Sequence, residues 1–272
     1  MARLVIKLGG SFITRKELGK SFPLTIDRIK ARRKDFVLAD RLRSISTEVA
    51  RVSQSHQLML VHGAGPFGHS LVSRLDAEQE GSARLVHQSM LVLNEVVQGA
   101  LSEAGVNCRT RSPFDLAHFE GRFHTDRLLR KMLLDVKRGV VPVSHGDMVE
   151  SHASGRGSYT VISGDVVARD ASLFWPADRI IMVTDLDGIL DRDPAEGYGR
   201  TVPRLGVARA LELLRSRASR GPDVTGGILE KVRTCKPAIL RGIPLQIIAG
   251  LKPGSLEAAC EGKEVGTTVE CR

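Results

Sequence analysis

The sequence is poor in the features that mark a membrane protein, a disulfide-bonded module or a nucleic-acid reader. No apolar run approaches the ~20 residues that cross a bilayer. The stretch Met1 to Leu8 is of strand length and too short for the apolar region of a signal peptide. The expectation is a cytoplasmic protein with no membrane partner. Only 4 cysteines occur, none in a C-x-x-C pair, which argues against a zinc site and against a disulfide framework. With 2 tyrosines, 1 tryptophan and 8 phenylalanines, little is available for base stacking, and no RNA-recognition signature is present. The net charge of +9 would by itself fit a nucleic-acid binder. Yet bases alternate with acids, as in Asp27-Arg28, Lys34-Asp35 and Asp40-Arg41. A basic enzyme that attracts small polyanionic substrates accounts for the charge with no nucleic-acid partner.

What is present is a chain of 272 residues, 42% hydrophobic, enough to bury a full core as one large domain or two closely packed lobes. Its centre is Val61-His62-Gly63-Ala64-Gly65-Pro66-Phe67-Gly68-His69, directly after the apolar run Leu58-Met59-Leu60. This reads as a buried strand ending in a glycine-rich anion loop, because glycine lets backbone amides approach a phosphate without a Cβ in the way. His69 follows where a helix should start. Gly63, Gly65 and Gly68 also satisfy the G-x-G-x-x-G pattern of dinucleotide sites. That pattern requires a second strand ending in an acid roughly 20 residues on, and here that region runs into helix-like sequence. The dinucleotide reading is therefore set aside.

The alternation of strands and helices continues along the chain. Arg3 to Leu8 is a strand running into Gly9-Gly10-Ser11, with Lys7 placed to reach a phosphate held by the turn. The spacing is not that of a Walker A loop. A basic loop, Thr14-Arg15-Lys16, precedes a segment of helical spacing from Ile26 to Ser53. Ala83 to Ala104 carries an apolar stripe that is core, with Met90, Leu93 or Val97 open to a second role in an apolar substrate pocket. Arg122, His124 and Asp126 precede a helix, Leu128 to Arg138, and are expected to cap or solvate it.

Gly139 to Ser144 is a strand, followed by His145-Gly146-Asp147. Asp147 to Ser151 and Ser158 to Ile162, flanking Gly155-Arg156-Gly157, read as a hairpin. At Ser163-Gly164-Asp165, the carboxylate is an N-cap or a catalytic group, and the turn alone does not choose. A buried strand, Arg179 to Thr184, ends in Asp185-Leu186-Asp187-Gly188. Helix Gly206 to Arg217 follows. Asp223-Val224-Thr225-Gly226-Gly227 opens another helix with Lys231 on its first turn. Gly266 to Val269 is expected as a closing edge strand. The pattern predicts an α/β protein, a three-layer α/β/α sandwich with a mostly parallel central sheet and ligand loops at the strands' C-terminal ends.

Five of these segments resemble, in order, the motifs of the amino acid kinase superfamily: Lys7 to Ser11, His62 to His69, Ser163 to Asp165, Thr184 to Gly188, and Asp223 to Gly227 with Lys231. They span the chain. Gly10-Ser11 through Lys16, together with Gly65-Pro66-Phe67-Gly68-His69, are most similar to isopentenyl phosphate kinases within it. The resemblance implies ATP-dependent phosphorylation of a small phosphorylated acceptor, with Mg²⁺ as cofactor, no dedicated protein metal site, and a homodimer. It implies an acceptor-binding lobe over about 1–155 and a nucleotide-binding lobe over about 156–272. Lys7, Gly9, Gly10 and Ser11 would hold ATP phosphates, and Lys16 would stabilise the transferring group. Gly65, Asp185, Gly227 and Lys231 would belong to the nucleotide site. Ala64, Gly65, Gly68 and His69 would hold the acceptor phosphate, with Gly146 and Gly164 closing that side, and Asp165 would organise the lysines. The resemblance leaves fosfomycin kinase-like activity and a non-catalytic nucleotide-binding module as alternatives. Pro66 departs from many relatives and removes one backbone donor from the loop.

Overall fold

The computed structural model describes residues 1–153, 157–192, 199–218 and 226–272. Strand β1 (Arg3–Leu8) runs into a one-turn helix α1 (Gly10–Ile13) and a 3-10 turn over Lys16–Ser21. Helices α2 (Ile26–Phe36) and α3 (Ala39–Ser55) lead to β2 (Gln57–His62), α4 (Pro66–Val72) and the long α5 (Glu80–Glu103). Next come β3 (Cys108–Thr110), the two-residue strands β4 (His118–Phe119) and β5 (Phe123–His124), and α6 (Asp126–Lys137). They are followed by β6 (Val141–His145), β7 (Asp147–Ser151), β8 (Ser158–Ile162) and α7 (Gly164–Phe174). The remainder is β9 (Arg179–Thr184), β10 (Arg204–Gly206), α8 (Val207–Ala218), α9 (Gly226–Ile239), β11 (Leu245–Ala249), α10 (Ser255–Cys260) and β12 (Thr267–Glu270).

Strand alternation sets the layers. Leu4, Ile6 and Leu8 of β1 join one hydrophobic cluster and Val5 joins another, and Leu58 and Leu60 of β2 are likewise split from Met59 and Val61. Successive strand side chains point to opposite faces, so these strands need cover on both sides. One cover is built by α2, α3, α4, α5 and α10, the other by α6, α7, α8 and α9. Lys7 has the same parity as Val5 and therefore points toward the layer of α7 and α9.

The main sheet has the order β10-β12-β11-β9-β1-β2-β6-β3, and its pairings are parallel except β11 with β12. This is the expected three-layer sandwich. The chain winds outward from β1 in both directions, through β2 and β6 on one side and β9 and β11 on the other. Such a reversal leaves a crevice at the strands' C-terminal ends. A second sheet, β5-β4-β7-β8, flanks it, and its β7 and β8 are the expected hairpin strands.

The segment of helical spacing from Ile26 to Ser53 is helical and divides in two, where Val37 bridges Thr14 and Leu38 donates its N–H to Ile13 at 2.9 Å, anchoring the loop after α1. Two expectations are corrected. Helix α6 starts at Asp126 after Thr125, and His124 pairs in β5 and caps nothing. Strand β12 is not an edge strand: the three-residue β10 pairs outside it. Gly155-Arg156 and Asp223-Val224-Thr225 lie outside the described residues.

Two buried histidines, His62 and His145, end β2 and β6 with ring centroids 5.3 Å apart. Burial, reinforced by His145, pushes the His62 pKa down to about 3. Burial also lowers His145, against the pull of Asp147. Both rings are therefore neutral in the fold, whereas in the unfolded chain they titrate near 6.5. Below that pH the unfolded state binds more protons, so stability falls as pH drops from 6.5 toward 3. For His62 alone the slope approaches about 1.4 kcal/mol per pH unit. Urea unfolding at a series of pH values measures it, and a flat curve across that window would contradict neutral buried rings.

Candidate active site

Backbone contact between glycines assembles the crevice. Gly63 donates its N–H to Leu8 at 2.9 Å and Gly9 donates to Val183 at 2.8 Å, which ties the turns after β1, β2 and β9 together. A methyl on Gly10 would lie 2.5 Å from the Gly65 nitrogen, and one on Gly63 would lie 2.5 Å from the Gly10 nitrogen. These turns touch backbone to backbone, which only glycine permits. Gly65 has a φ of +50°, favourable to glycine, and a side chain there would strike Thr14. On the other flank, Gly146 donates to the His62 carbonyl at 3.3 Å. A methyl on Gly146 would come within 3.0 Å of the Gly164 nitrogen, and one on Gly164 within 3.0 Å of the His62 carbonyl. Four glycine turns thus meet at one place. Ala64 and Gly68 pack there too, since a Cβ on Gly68 would lie 2.6 Å from that of Ala64.

Charge is concentrated beneath these turns. Asp165, in the first turn of α7, lies 2.9 Å from the Lys7 ammonium and 3.6 Å from that of Lys231. Burial acts to raise the Asp165 carboxyl, but the two lysines outweigh it and hold it below the ordinary carboxylate range. Asp165 is therefore more than a cap; Ser163 is the N-cap, its Oγ accepting from the Val166 N–H at 3.2 Å. Burial, and then Lys7, lower Lys231. Lys231 sits on the second turn of α9, one turn later than expected, and donates to the Gly227 carbonyl at 3.1 Å.

His69 is the exposed residue in an otherwise buried stretch from Gly65 to Ser70. Desolvation by the surrounding protein lowers its pKa, Lys7 and Lys231 lower it further, and Asp165 opposes them. The same cluster thus acts on His69 and favours its neutral imidazole. On the opposite flank Ser11 donates from Oγ to Asp185 at 3.1 Å, coupling the turn after β1 to the turn after β9. Lys16 is exposed at the start of the 3-10 turn, on a segment tied to the chain just after α4 by Arg74, which donates to the Phe22 carbonyl at 2.8 Å. The structure thus brings together Lys7, Gly9, Gly10, Ser11, Ala64, Gly65, Gly68, His69, Gly146, Gly164, Asp165, Asp185, Gly227 and Lys231, while Lys16 forms no hydrogen bond or ion pair with them among the described residues.

Met90, Leu93 and Val97 are wholly buried in the core, so the core reading of the α5 stripe holds for all three. Sequence reasoning missed Asn94, whose Oδ1 lies 3.2 Å from Nε2 of His62. Its signal was a lone amide within an apolar stripe. Thr14, which donates to Gly10 at 2.6 Å, gave no such signal.

A parallel sheet whose strand ends gather glycine amides around two ammonium groups, one carboxylate and a neutral imidazole is the layout of a phosphotransferase for small anions. The chain belongs to the amino acid kinase family, whose model matches residues 2–249. Within it, the chain is similar to the isopentenyl phosphate kinase of Methanothermobacter thermautotrophicus, 33% identical across 97% of this chain and 97% of that protein. The isopentenyl phosphate kinase of Haloferax volcanii is 31% identical over 99% of each. A solved isopentenyl phosphate kinase structure matches with a TM-score of 0.77 and 27% identity, covering 98% of this chain and 99% of that one.

The glycine contacts yield a paired test. Gly63→Ala is expected to lower turnover at least tenfold, about 1.4 kcal/mol of barrier, because the methyl separates the two turns. Gly99→Ala, in α5 with open space around its Cβ, is expected to leave turnover unchanged and stabilise the fold by about 0.5–1 kcal/mol. Steady-state kinetics and thermal unfolding of both variants decide the matter, and equal turnover in the two would refute backbone contact as the constraint.

Proposed function

We propose that the protein transfers the γ-phosphoryl group of ATP to isopentenyl phosphate, forming isopentenyl diphosphate. The observation that carries this reading is the Lys7–Asp165–Lys231 cluster acting on an exposed His69 at the mouth of the glycine loops. Similarity to isopentenyl phosphate kinases along the whole length of the chain supports the choice of acceptor.

The chemistry asks little of a general base. A phosphate monoester has a second pKa of about 6 and is already an anionic nucleophile at neutral pH. The obstacle is holding two polyanions in line, and positioned cations and amide dipoles remove it. In this reading Lys7, Gly9, Gly10 and Ser11 hold the nucleotide phosphates, and Lys16 reaches the transferring group. Asp185, Gly227 and Lys231 line the nucleotide side. Ala64, Gly65, Gly68, Gly146 and Gly164 close around the acceptor phosphate, to which His69 donates its N–H. Asp165 keeps both lysine heads aimed at the phosphates.

The donor set fits Mg²⁺ carried with ATP and no resident ion, since Asp165 is taken up by two ammonium groups and Asp185 accepts from Ser11. Mg²⁺ bound with the nucleotide supplies charge neutralisation at its phosphate oxygens. A homodimer in the cytoplasm remains part of the same proposal, and no helix among the described residues is long and apolar enough to cross a membrane.

A coupled assay with MgATP and isopentenyl phosphate, dimethylallyl phosphate, fosfomycin and acetylglutamate tests the assignment. Turnover is expected with the isoprenoid monophosphates, and comparable kcat/KM with fosfomycin, or ATP binding without any turnover, would overturn it. Lys7→Ala and Lys16→Ala should each cut kcat at least tenfold, about 1.4 kcal/mol. His69→Ala should raise KM for the acceptor more than KM for ATP; unchanged kinetics would remove His69 from the acceptor site.

A further inference from the structure

The small sheet β5-β4-β7-β8 carries a group of side chains that the kinase reading does not use. His118 of β4 is the register partner of His124 in β5 and of Glu150 in β7. Paired residues on neighbouring strands share a face, and so do residues two apart on one strand. Glu120 and His152 therefore fall on that face as well. The side chains bear this out. The His118 and His124 rings stack with centroids 4.7 Å apart and 4° between planes, and His118 and His152 stack at 4.9 Å. Ligand atoms of His118, Glu120 and His124 all lie within 4.8 Å of one another. The two histidines are half-buried and Glu120 is exposed.

Three imidazoles stacked beside carboxylates supply the ligand types that borderline divalent transition metals select. We propose that His118, Glu120 and His124, with His152 alongside, bind one such ion, of the Zn²⁺ class. Zinc bonds of about 2.0–2.2 Å place neighbouring ligand atoms roughly 3.4 Å apart, so the imidazoles turn out of their stack to bring atoms now up to 4.8 Å apart onto one ion. The site opens on a cavity of about 650 Å³ whose lining includes Glu150 and Asp126 but none of the glycine turns. Arg84 and Arg127 also line it and oppose a cation, so binding depends on the imidazoles and not on net negative charge.

The ion would join β5, β4 and β7, and β7 begins at Asp147, directly after Gly146 of the acceptor side. Its role is to clamp the flanking sheet; the inference stands apart from the kinase reading. After chelator treatment and dialysis, the full chain is titrated with ZnCl₂ by calorimetry and with Co²⁺ by absorption. One Zn²⁺ per chain at micromolar or tighter Kd is expected, with visible Co²⁺ bands of tetrahedral character and a higher Tm. His118→Ala and His124→Ala should each weaken Zn²⁺ at least tenfold while His124→Ala keeps wild-type MgATP turnover. No Zn²⁺ binding, or binding unchanged in both variants, overturns the site. Protection from diethyl pyrocarbonate, mapped in the unsubstituted protein, tests it without mutation. Zn²⁺-dependent protection of His118 and His124 supports the site, and protection confined to other histidines overturns it.

Discussion

Asp165 holds two ammonium groups at once, and the layout of the crevice follows from that. Lys7 comes from β1, Asp165 from α7 and Lys231 from α9, three elements far apart in sequence that meet because β1 turns its odd-numbered side chains toward the α7 and α9 layer. A buried cation without a partner is costly, and removing one member of such a group leaves charge uncompensated. The carboxylate offsets part of the repulsion between the lysines. The cluster remains net positive, which suits a site that receives phosphates. Lys231 responds to this imbalance: its own pKa is lowered by burial and by Lys7, with Asp165 pulling the other way. An incoming phosphate would complete the charge balance that one carboxylate leaves unfinished.

The glycine turns extend the same logic to the backbone. Charge neutralisation by side chains is effective only at short range, so the amides must come as close to the phosphates as the lysines do. Packing the turn after β1 directly against the turn after β2 achieves this, and any Cβ at Gly10 or Gly63 would hold them apart. Gly146 and Gly164 repeat the arrangement on the β6 side, around the His62 carbonyl. The polar groups at the strand ends are thereby consumed in holding the turns, and the amides beyond them stay available.

Much of this is legible in the sequence because it depends on local pattern. The strands that start at Arg3, Arg179, Asp147 and Ser158 end where runs of apolar or alternating residues meet Gly, Ser or Asp, and the structure keeps those bounds. The glycine motifs stand out because several glycines directly after an apolar run mark a strand end where backbone must pass close to backbone or to a ligand. Features set by tertiary pairing are not legible. The break at Val37 arises from backbone bonds to the loop after α1, and β10 exists only because β12 offers it an edge. Lys231 lies on the second turn because it is five residues beyond Gly226, where the helix begins within the glycine motif. The His118, His124 and His152 group is invisible for a related reason: its members are separated by irregular spacings and meet only through the register of very short strands. The absence of cysteine pairs says nothing about imidazoles gathered in this way.

Helix α5 links the loop that carries His69 to the start of β7. It presents Asn94 to His62 at the end of β2, and it sets Met90 behind Gly68, 3.4 Å from where a Cβ would lie. Nearly one turn before Met90, His87 lies 2.9 Å from the buried Asp147 carboxylate, which also accepts from Ser112 at 2.9 Å and from the Met148 N–H at 2.9 Å. One helix therefore braces the loop that carries His69 and the first residue of β7. Helical spacing is what makes this possible: His87, Met90 and Asn94 fall within about two turns of the helix, at about 1.5 Å per residue. The apolar stripe of α5 fixes its height on the main sheet, so its polar residues arrive at His62 and Asp147 already positioned. The same burial that hides Leu93 and Val97 from any ligand is what gives Asn94 and His87 their precision.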